Sequence, residues 1–155
     1  MAVNLDYSWD LSFNNPDGQL TLVVEVKNKT NVSPEWVAKL RRNILAHGSL
    51  PNAPYFLIVF PDKFYLWIDG DHVEESEPAY IIDAHSILQP YFERAGVTAN
   101  EISGQSLELI VAAWLGEIIY SPPPPENIDD SQRWVIDSGL YAALTGGKFE
   151  HEAVA

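Results

Sequence analysis

The chain has 155 residues, no cysteine and a formal net charge of −13, with 46% hydrophobic and 12% aromatic residues. This length favours a single domain, and the apolar content is enough for a buried core, so a disordered chain is not the default expectation. Disulfides and thiolate metal sites are excluded, no run of 18 apolar residues predicts a membrane span, and residues 1–7 do not form a signal peptide, so we expect a cytoplasmic protein without membrane contact.

The negative charge is concentrated in the later part of the chain. Residues 1–50 hold five acidic and five basic side chains, whereas residues 51–155 hold 17 acidic and four basic ones. Proteins that bind polyanions usually neutralise phosphates with Lys and Arg. A nucleic-acid site is therefore least disfavoured in the first third of the chain.

An antiparallel hairpin is predicted at the start. Residues 7–13 alternate apolar and polar side chains, the segment 14–18 (NNPDG) has turn chemistry, and residues 19–27 form a β-branched run. Because side chains alternate along a strand, one face would carry Ser8, Asp10, Ser12, Thr21, Val23, Glu25 and Lys27, and the other Trp9, Leu11, Phe13, Leu22, Val24 and Val26.

The register of this hairpin has two alternatives. A turn centred on Pro16 and Asp17 places Asp10 opposite Val23 and diagonal to Glu25. A register shifted by two residues places Asp10 directly opposite Glu25. Either register keeps the two acidic side chains on one face.

Two acidic groups and an amine on one face are suited to metal binding and phosphate chemistry. A pair of carboxylates can hold a Mg²⁺ ion that takes further ligands from waters and a phosphate. An adjacent lysine can orient or deprotonate the attacking water, or stabilise charge on the phosphate oxygens. The pattern of Asp10, a hairpin, then Glu25, Val26 and Lys27 resembles the signature of the PD-(D/E)XK (restriction-endonuclease-like) nuclease superfamily, over about residues 5–70.

This resemblance implies a metal-dependent phosphodiester hydrolase acting on DNA or RNA. It implies that Asp10, Glu25 and the Val26 carbonyl bind Mg²⁺ or Mn²⁺, and that Asp10, Glu25 and Lys27 are catalytic. The chain departs from the family pattern because Trp9 replaces a proline, and because residues 1–6 are too few for the upstream helix that usually carries another acid. The alternative is a catalytically inactive nuclease-fold module that mediates protein–protein interaction or homodimerisation.

A helix is predicted next, beginning at Ser33-Pro34-Glu35 and ending at His47-Gly48. An apolar stripe at helical spacing would face the sheet, with the basic side chains outside the stripe. The resemblance implies nucleic-acid contacts for basic residues in and before this helix, and a solvated helix face is the alternative. These residues are Lys29, Lys39, Arg41 and Arg42.

The pattern of residues 54–120 predicts further strands and helices, which complete an α/β fold. The apolar run 54–60 is typical of a strand covered on both faces, and a right-handed crossover would place it parallel to the Glu25 strand. We therefore predict a mixed β-sheet core (antiparallel hairpin, crossover helix, further strands) flanked by helices. The further elements are strands at 64–68 and 80–82 and helices at 84–95 and 103–120.

A helical part is predicted at the C-terminus. Residues 1–120 would form the α/β domain, and residues 121–125 (SPPPP) would act as a stiff spacer. A helix from about 130 to 144 would pack on the domain or on a second subunit, and the last residues would fray. We expect a homo-oligomer, a dimer being the simplest.

Overall fold

Six strands and five helices make up the described part of the chain, which in this computed structural model covers residues 11–47, 53–68, 77–120 and 128–151. The strands are β1 (Leu11–Asn14), β2 (Leu20–Val26), β3 (Tyr55–Val59), β4 (Lys63–Ile68), β5 (Tyr80–Asp83) and β6 (Lys148–His151). The helices are α1 (Pro34–His47), α2 (His85–Ala95), α3 (Gly104–Tyr120), α4 (Arg133–Asp137) and α5 (Leu140–Leu144), with a 3-10 turn at Asp130–Gln132.

The six strands form one mixed sheet in the order β5-β4-β3-β2-β1-β6. Only β2 and β3 are parallel, and α1 connects them, whereas every other neighbouring pair is antiparallel. Ser33 caps the start of α1 as predicted, because its Oγ accepts a hydrogen bond from the Trp36 N–H at 3.1 Å. The predicted α/β class with a mixed sheet and a crossover helix is confirmed.

Two hydrophobic clusters lie on the two faces of the sheet. The larger contains Leu22, Val24 and Leu57, together with apolar side chains of α2 to α5. The smaller packs beneath α1, with Val37 of that helix against the sheet. Its buried members are Val23, Val37, Phe56, Ile58, Phe60, Tyr65 and Trp67. Of the described helices, four therefore cover one face of the sheet and one covers the other.

The hairpin register follows the alternative that is shifted by two residues. Leu11 lies opposite Val24, and an irregularity follows Phe13. The turn is wider than a two-residue turn, since the Asn15 N–H donates to the Gln19 carbonyl and the Gln19 N–H donates to the Asn15 side chain. The register centred on Pro16 and Asp17 is therefore wrong, although the predicted division into two faces holds for the described residues.

The C-terminal helix is broken where a single helix was predicted. Gly139 has φ of 86°, and α4 and α5 lie on either side of it. The Tyr55 hydroxyl donates a hydrogen bond to the Ser138 carbonyl at 3.1 Å, which holds the break against β3. Both short helices pack into the larger cluster through Trp134, Val135, Leu140 and Leu144.

The end of the chain adds a strand to the sheet. Residues 148–151 form β6, which pairs antiparallel with β1 from Leu11 to Asn14. The prediction of a frayed end is therefore wrong as far as residue 151, because the free edge of β1 supplies backbone partners. The predicted spacer at residues 121–125 lies outside the described residues.

Helix α3 is more apolar than α1 and α2, and it packs mainly on the sheet. Its outer side still exposes Leu109 and Tyr120, by 54% and 62%. Among the described helices, none combines the length and the hydropathy that a membrane span requires.

We expect Gly139→Ala to destabilise the fold by about 1–2 kcal/mol, since a side chain at positive φ is strained. The new Cβ would also lie 2.9 Å from the Tyr55 hydroxyl oxygen. The measurement is the free energy of unfolding in urea. The matched control is Gly116→Ala in α3, where a new Cβ would meet no atom within 4 Å apart from its chain neighbours and the backbone of its own helix, and where alanine favours the helix. Equal stability of the two variants would contradict this reading of the break.

Candidate functional site

Glu25 and Lys27 lie side by side at the carboxyl end of β2. The Lys27 N–H donates to the Val59 carbonyl at 2.9 Å, so the parallel ladder with β3 continues one residue beyond β2. Extended backbone places residues 25 and 27 on the same face. Their side chains form an ion pair, with 3.3 Å between Lys27 Nζ and Glu25 Oε2.

The ion pair is buried at one end and open at the other. The Glu25 side chain is 12% exposed, whereas the Lys27 side chain is 36% exposed. A partly buried carboxylate costs free energy unless a cation or hydrogen-bond donors compensate it. Lys27 supplies that cation, and its exposure leaves the pair within reach of solvent and of a ligand.

The surroundings of Glu25 become more polar toward β1. On β3 its neighbour is the buried Ile58. The same sheet face carries Ser12 on β1 and Thr21 earlier on β2, which are 4% and 5% exposed. The predicted face with polar side chains is therefore present along β1 and β2, next to the apolar surface under α1.

Asp10, the predicted metal ligand and catalytic acid on the first strand, lies outside the described residues. The described pairing ends at Leu11 opposite Val24. Within the described ranges, no group of three or more His, Asp or Glu side chains could hold a metal ion. The donors that the described residues offer at this position are the Glu25 carboxylate and the Val26 carbonyl.

The four predicted nucleic-acid contacts do not share one surface. Lys29 and Lys39 are exposed, and Lys29 Nζ lies 5.8 Å from the centroid of the Trp36 ring. Arg42 is half-buried and faces a groove above β4 and β5. Arg41 was expected outside the apolar stripe, but it is 3% exposed, and its guanidinium stacks 4.9 Å from the Trp67 ring centroid. Its long stem and its affinity for an aromatic face explain this burial.

Asp62 is a structural residue of this region that the sequence did not single out. It lies in the turn between β3 and β4, and its Oδ2 accepts a hydrogen bond from the Asn31 N–H at 3.0 Å. Asn31 has φ of 59°, so Asp62 stabilises an uncommon backbone conformation in the loop that follows Lys27. Burial, and then the nearby Asp62 carboxylate, raise the pKa of the Tyr65 phenol. In the sequence, the only feature that could have indicated this role of Asp62 was its position in a turn after a buried strand.

A second polar cluster lies on the opposite face, between α2 and α3. Its members include Tyr91, Trp114, Glu117 and Tyr141, and they line a cavity of about 210 Å³. Burial and a hydrogen bond to Glu117 raise the pKa of the Tyr91 phenol, while Arg94 stacks 4.7 Å from the Tyr91 ring. This cluster stabilises the contact between α2 and α3.

The Tyr91 phenol gives a pH-dependent prediction. Since its pKa in the folded protein is raised above the ordinary value of 10.0, the unfolded chain ionises first as the pH rises. The stability that this group contributes is therefore complete below pH 10.0 and declines above it. We expect the difference in unfolding free energy between wild type and Tyr91→Phe to shrink from neutral pH to above pH 10.0 in urea titrations. A constant difference would contradict the assigned cause.

No family model, curated protein or solved structure matches this chain. The resemblance to the PD-(D/E)XK superfamily rests on Glu25, Val26 and Lys27, on Asp10 outside the described residues, and on the order of the surrounding strands and helix.

Proposed function

We propose that this protein is a metal-dependent phosphodiester hydrolase that cleaves DNA or RNA. The observation that carries the proposal is the partly buried Glu25 carboxylate beside the solvent-accessible Lys27 ammonium, at the carboxyl end of β2. The order of hairpin, crossover helix and parallel strand supports it. So does the described hairpin register, which is the one of the two predicted registers that was expected to set Asp10 opposite Glu25.

The donor atoms suit Mg²⁺ or Mn²⁺. Hard cations take oxygen ligands from carboxylates and backbone carbonyls, and Glu25 and the Val26 carbonyl are of this kind. Asp10 would complete the set and would provide the second carboxylate. When bound, the ion supplies positive charge that polarises the phosphate.

Among the described residues, Lys27 acts on the attacking water and the phosphate, and Glu25 binds the ion. Hydrolysis adds a water oxygen to phosphorus, breaks one phosphorus–oxygen bond, and moves a proton from the water to the departing oxygen. The Lys27 ammonium can orient that water, or stabilise the charge that develops on the phosphate oxygens. Glu25 positions the amine at 3.3 Å, and Asp62 stabilises the loop that follows it.

The test is an assay of purified protein on labelled single-stranded and double-stranded DNA and RNA. We expect cleavage of at least one substrate with Mg²⁺ or Mn²⁺, and none with excess EDTA. Lack of cleavage of every substrate with either ion would contradict the proposal. In that case, an inactive nuclease-fold module for protein interaction would be the better description.

A further inference from the structure

Within residues 11–47, 53–68, 77–120 and 128–151, α1 covers only part of the sheet face on which it packs. α1 packs on Val23 of β2 and on Phe56 and Ile58 of β3. Beside it, over β4 and β5, lies a groove with a volume of about 460 Å³. This volume lies within the range of about 300–1,000 Å³ that is typical of ligand sites. We call it the β5 groove, and it is lined chiefly by Val37, Arg42, Tyr65, Trp67, Glu77 and Ile81.

The floor and the rim of the β5 groove differ in chemistry. Tyr65 and Trp67 form the aromatic floor and are 2% and 3% exposed. Ile81 lies directly opposite Tyr65 in the antiparallel pair of β4 and β5, and it is 56% exposed. Ile81 and the aromatic floor together form an apolar surface. Covering this surface with another apolar side chain lowers the free energy.

The groove also borders an open sheet edge. β5 pairs with β4 on one side, and no described strand pairs with its other side. Backbone donors and acceptors on such an edge can bind an extended peptide as an additional strand. Alternate side chains of that strand would then lie over the groove beside Ile81.

The charge around the edge selects among possible partners. Glu35 and Glu77 line the groove with one basic residue, Arg42. The chain as a whole also carries more acidic than basic side chains, with a formal net charge of −13. A polyanion is therefore repelled. A second copy of this chain would bring the same acids and a net charge of −13 against them.

We propose that the β5 groove binds an extended basic peptide segment of a partner protein, which adds a strand to β5. One aromatic or large aliphatic side chain packs on Ile81 above the floor, and a Lys or Arg two residues away pairs with Glu77. This binding is independent of the proposed hydrolase site, because Glu25 lies on β2, two strands away from β4 in the sheet.

The experiment selects displayed random decapeptides on immobilised full-length protein and measures the enriched sequences as labelled synthetic peptides by fluorescence anisotropy. We expect enrichment of an aromatic or large aliphatic residue two positions from a Lys or Arg. Ile81→Lys and Glu77→Lys should each weaken binding by about tenfold or more, since both place a positive charge at the edge. Leu109→Lys is the matched control, because Leu109 is similarly exposed, by 54%, on α3 at the other face, and it should leave binding unchanged.

Three results would overturn the proposal. The first is a selection that enriches no peptide, or enriches acidic ones. The second is peptide binding that Ile81→Lys leaves unchanged. The third is a different occupant, shown either by Ile81-dependent binding of a labelled oligo-dT decanucleotide or by an Ile81-dependent dimer in sedimentation analysis. None of these results depends on whether the protein cleaves nucleic acid.

Discussion

Replacing Glu25 with glutamine is expected to lower metal-dependent cleavage by at least about 10²-fold, while the fold is retained. Glutamine keeps the size of the side chain and removes the negative charge that faces Lys27 and the proposed metal ion. Lys27 is 36% exposed and stays solvated when its partner loses the charge, so the cost to stability is small. The measurement is the single-turnover cleavage rate, with circular dichroism to verify the fold.

The control for this prediction is Glu35→Gln. Glu35 is an exposed acid in the first turn of α1, so its substitution removes the same charge from the surface without touching the ion pair. Lys27→Met should reduce the rate to a similar extent as Glu25→Gln. If Glu25→Gln and Glu35→Gln cleaved at equal rates, Glu25 would have no role in catalysis.

Phe64→Ala is expected to lower the free energy of unfolding by about 3–5 kcal/mol, the range for a large aromatic removed from a core. Phe64 is fully buried on β4. Its ring lies 5.3 Å from the Trp114 ring of α3 and 6.3 Å from the Trp134 ring of α4, measured between centroids. Because these three rings connect the sheet to two helices, alanine leaves a cavity that neighbouring elements cannot close.

Urea unfolding of Phe64→Ala and Leu109→Ala would measure this effect. Leu109 lies on the same helix as Trp114, but it is 54% exposed, so its truncation should change stability by about 0.5 kcal/mol or less. A small loss for Phe64→Ala would show that the contact of α3 and α4 with the sheet is not a main source of stability.

Elements that depend on local pattern were predictable from the sequence. The uninterrupted apolar run at residues 54–60 predicted β3, buried on both faces and parallel to β2. The Ser33 cap and the apolar spacing predicted α1 to within one residue at its start. Both predictions succeed because the apolar residues that form the pattern are the same residues that pack in the core.

Features that depend on distant contacts were not predictable. The break at Ser138 and Gly139 is held by Tyr55, which lies 83 residues earlier. β6 forms because residues 148–151 meet the free edge of β1. A segment of four residues is too short for its hydrophobic pattern to predict a strand. The burial of Arg41 depends on a Trp67 ring from another element.

The candidate site was predictable in part for the same reason. The period of two along β2 placed Glu25 and Lys27 together, and the structure has them 3.3 Å apart. Their unequal exposure and the role of Asp62 depend on how β3, the following turn and α1 pack, which the spacing does not encode. The β5 groove likewise results from the position of α1 over the sheet.

The most direct test of the proposed hydrolase site is a double-mutant comparison of Asp10→Asn, Glu25→Gln and the combined variant in metal-dependent cleavage. If the two carboxylates bind one ion, each single variant should lose nearly all activity, and the combined variant should be no slower than the slower single variant. Cleavage by Asp10→Asn at the wild-type rate, or no cleavage by the wild type with Mg²⁺ or Mn²⁺, would contradict a shared metal site at the end of β2.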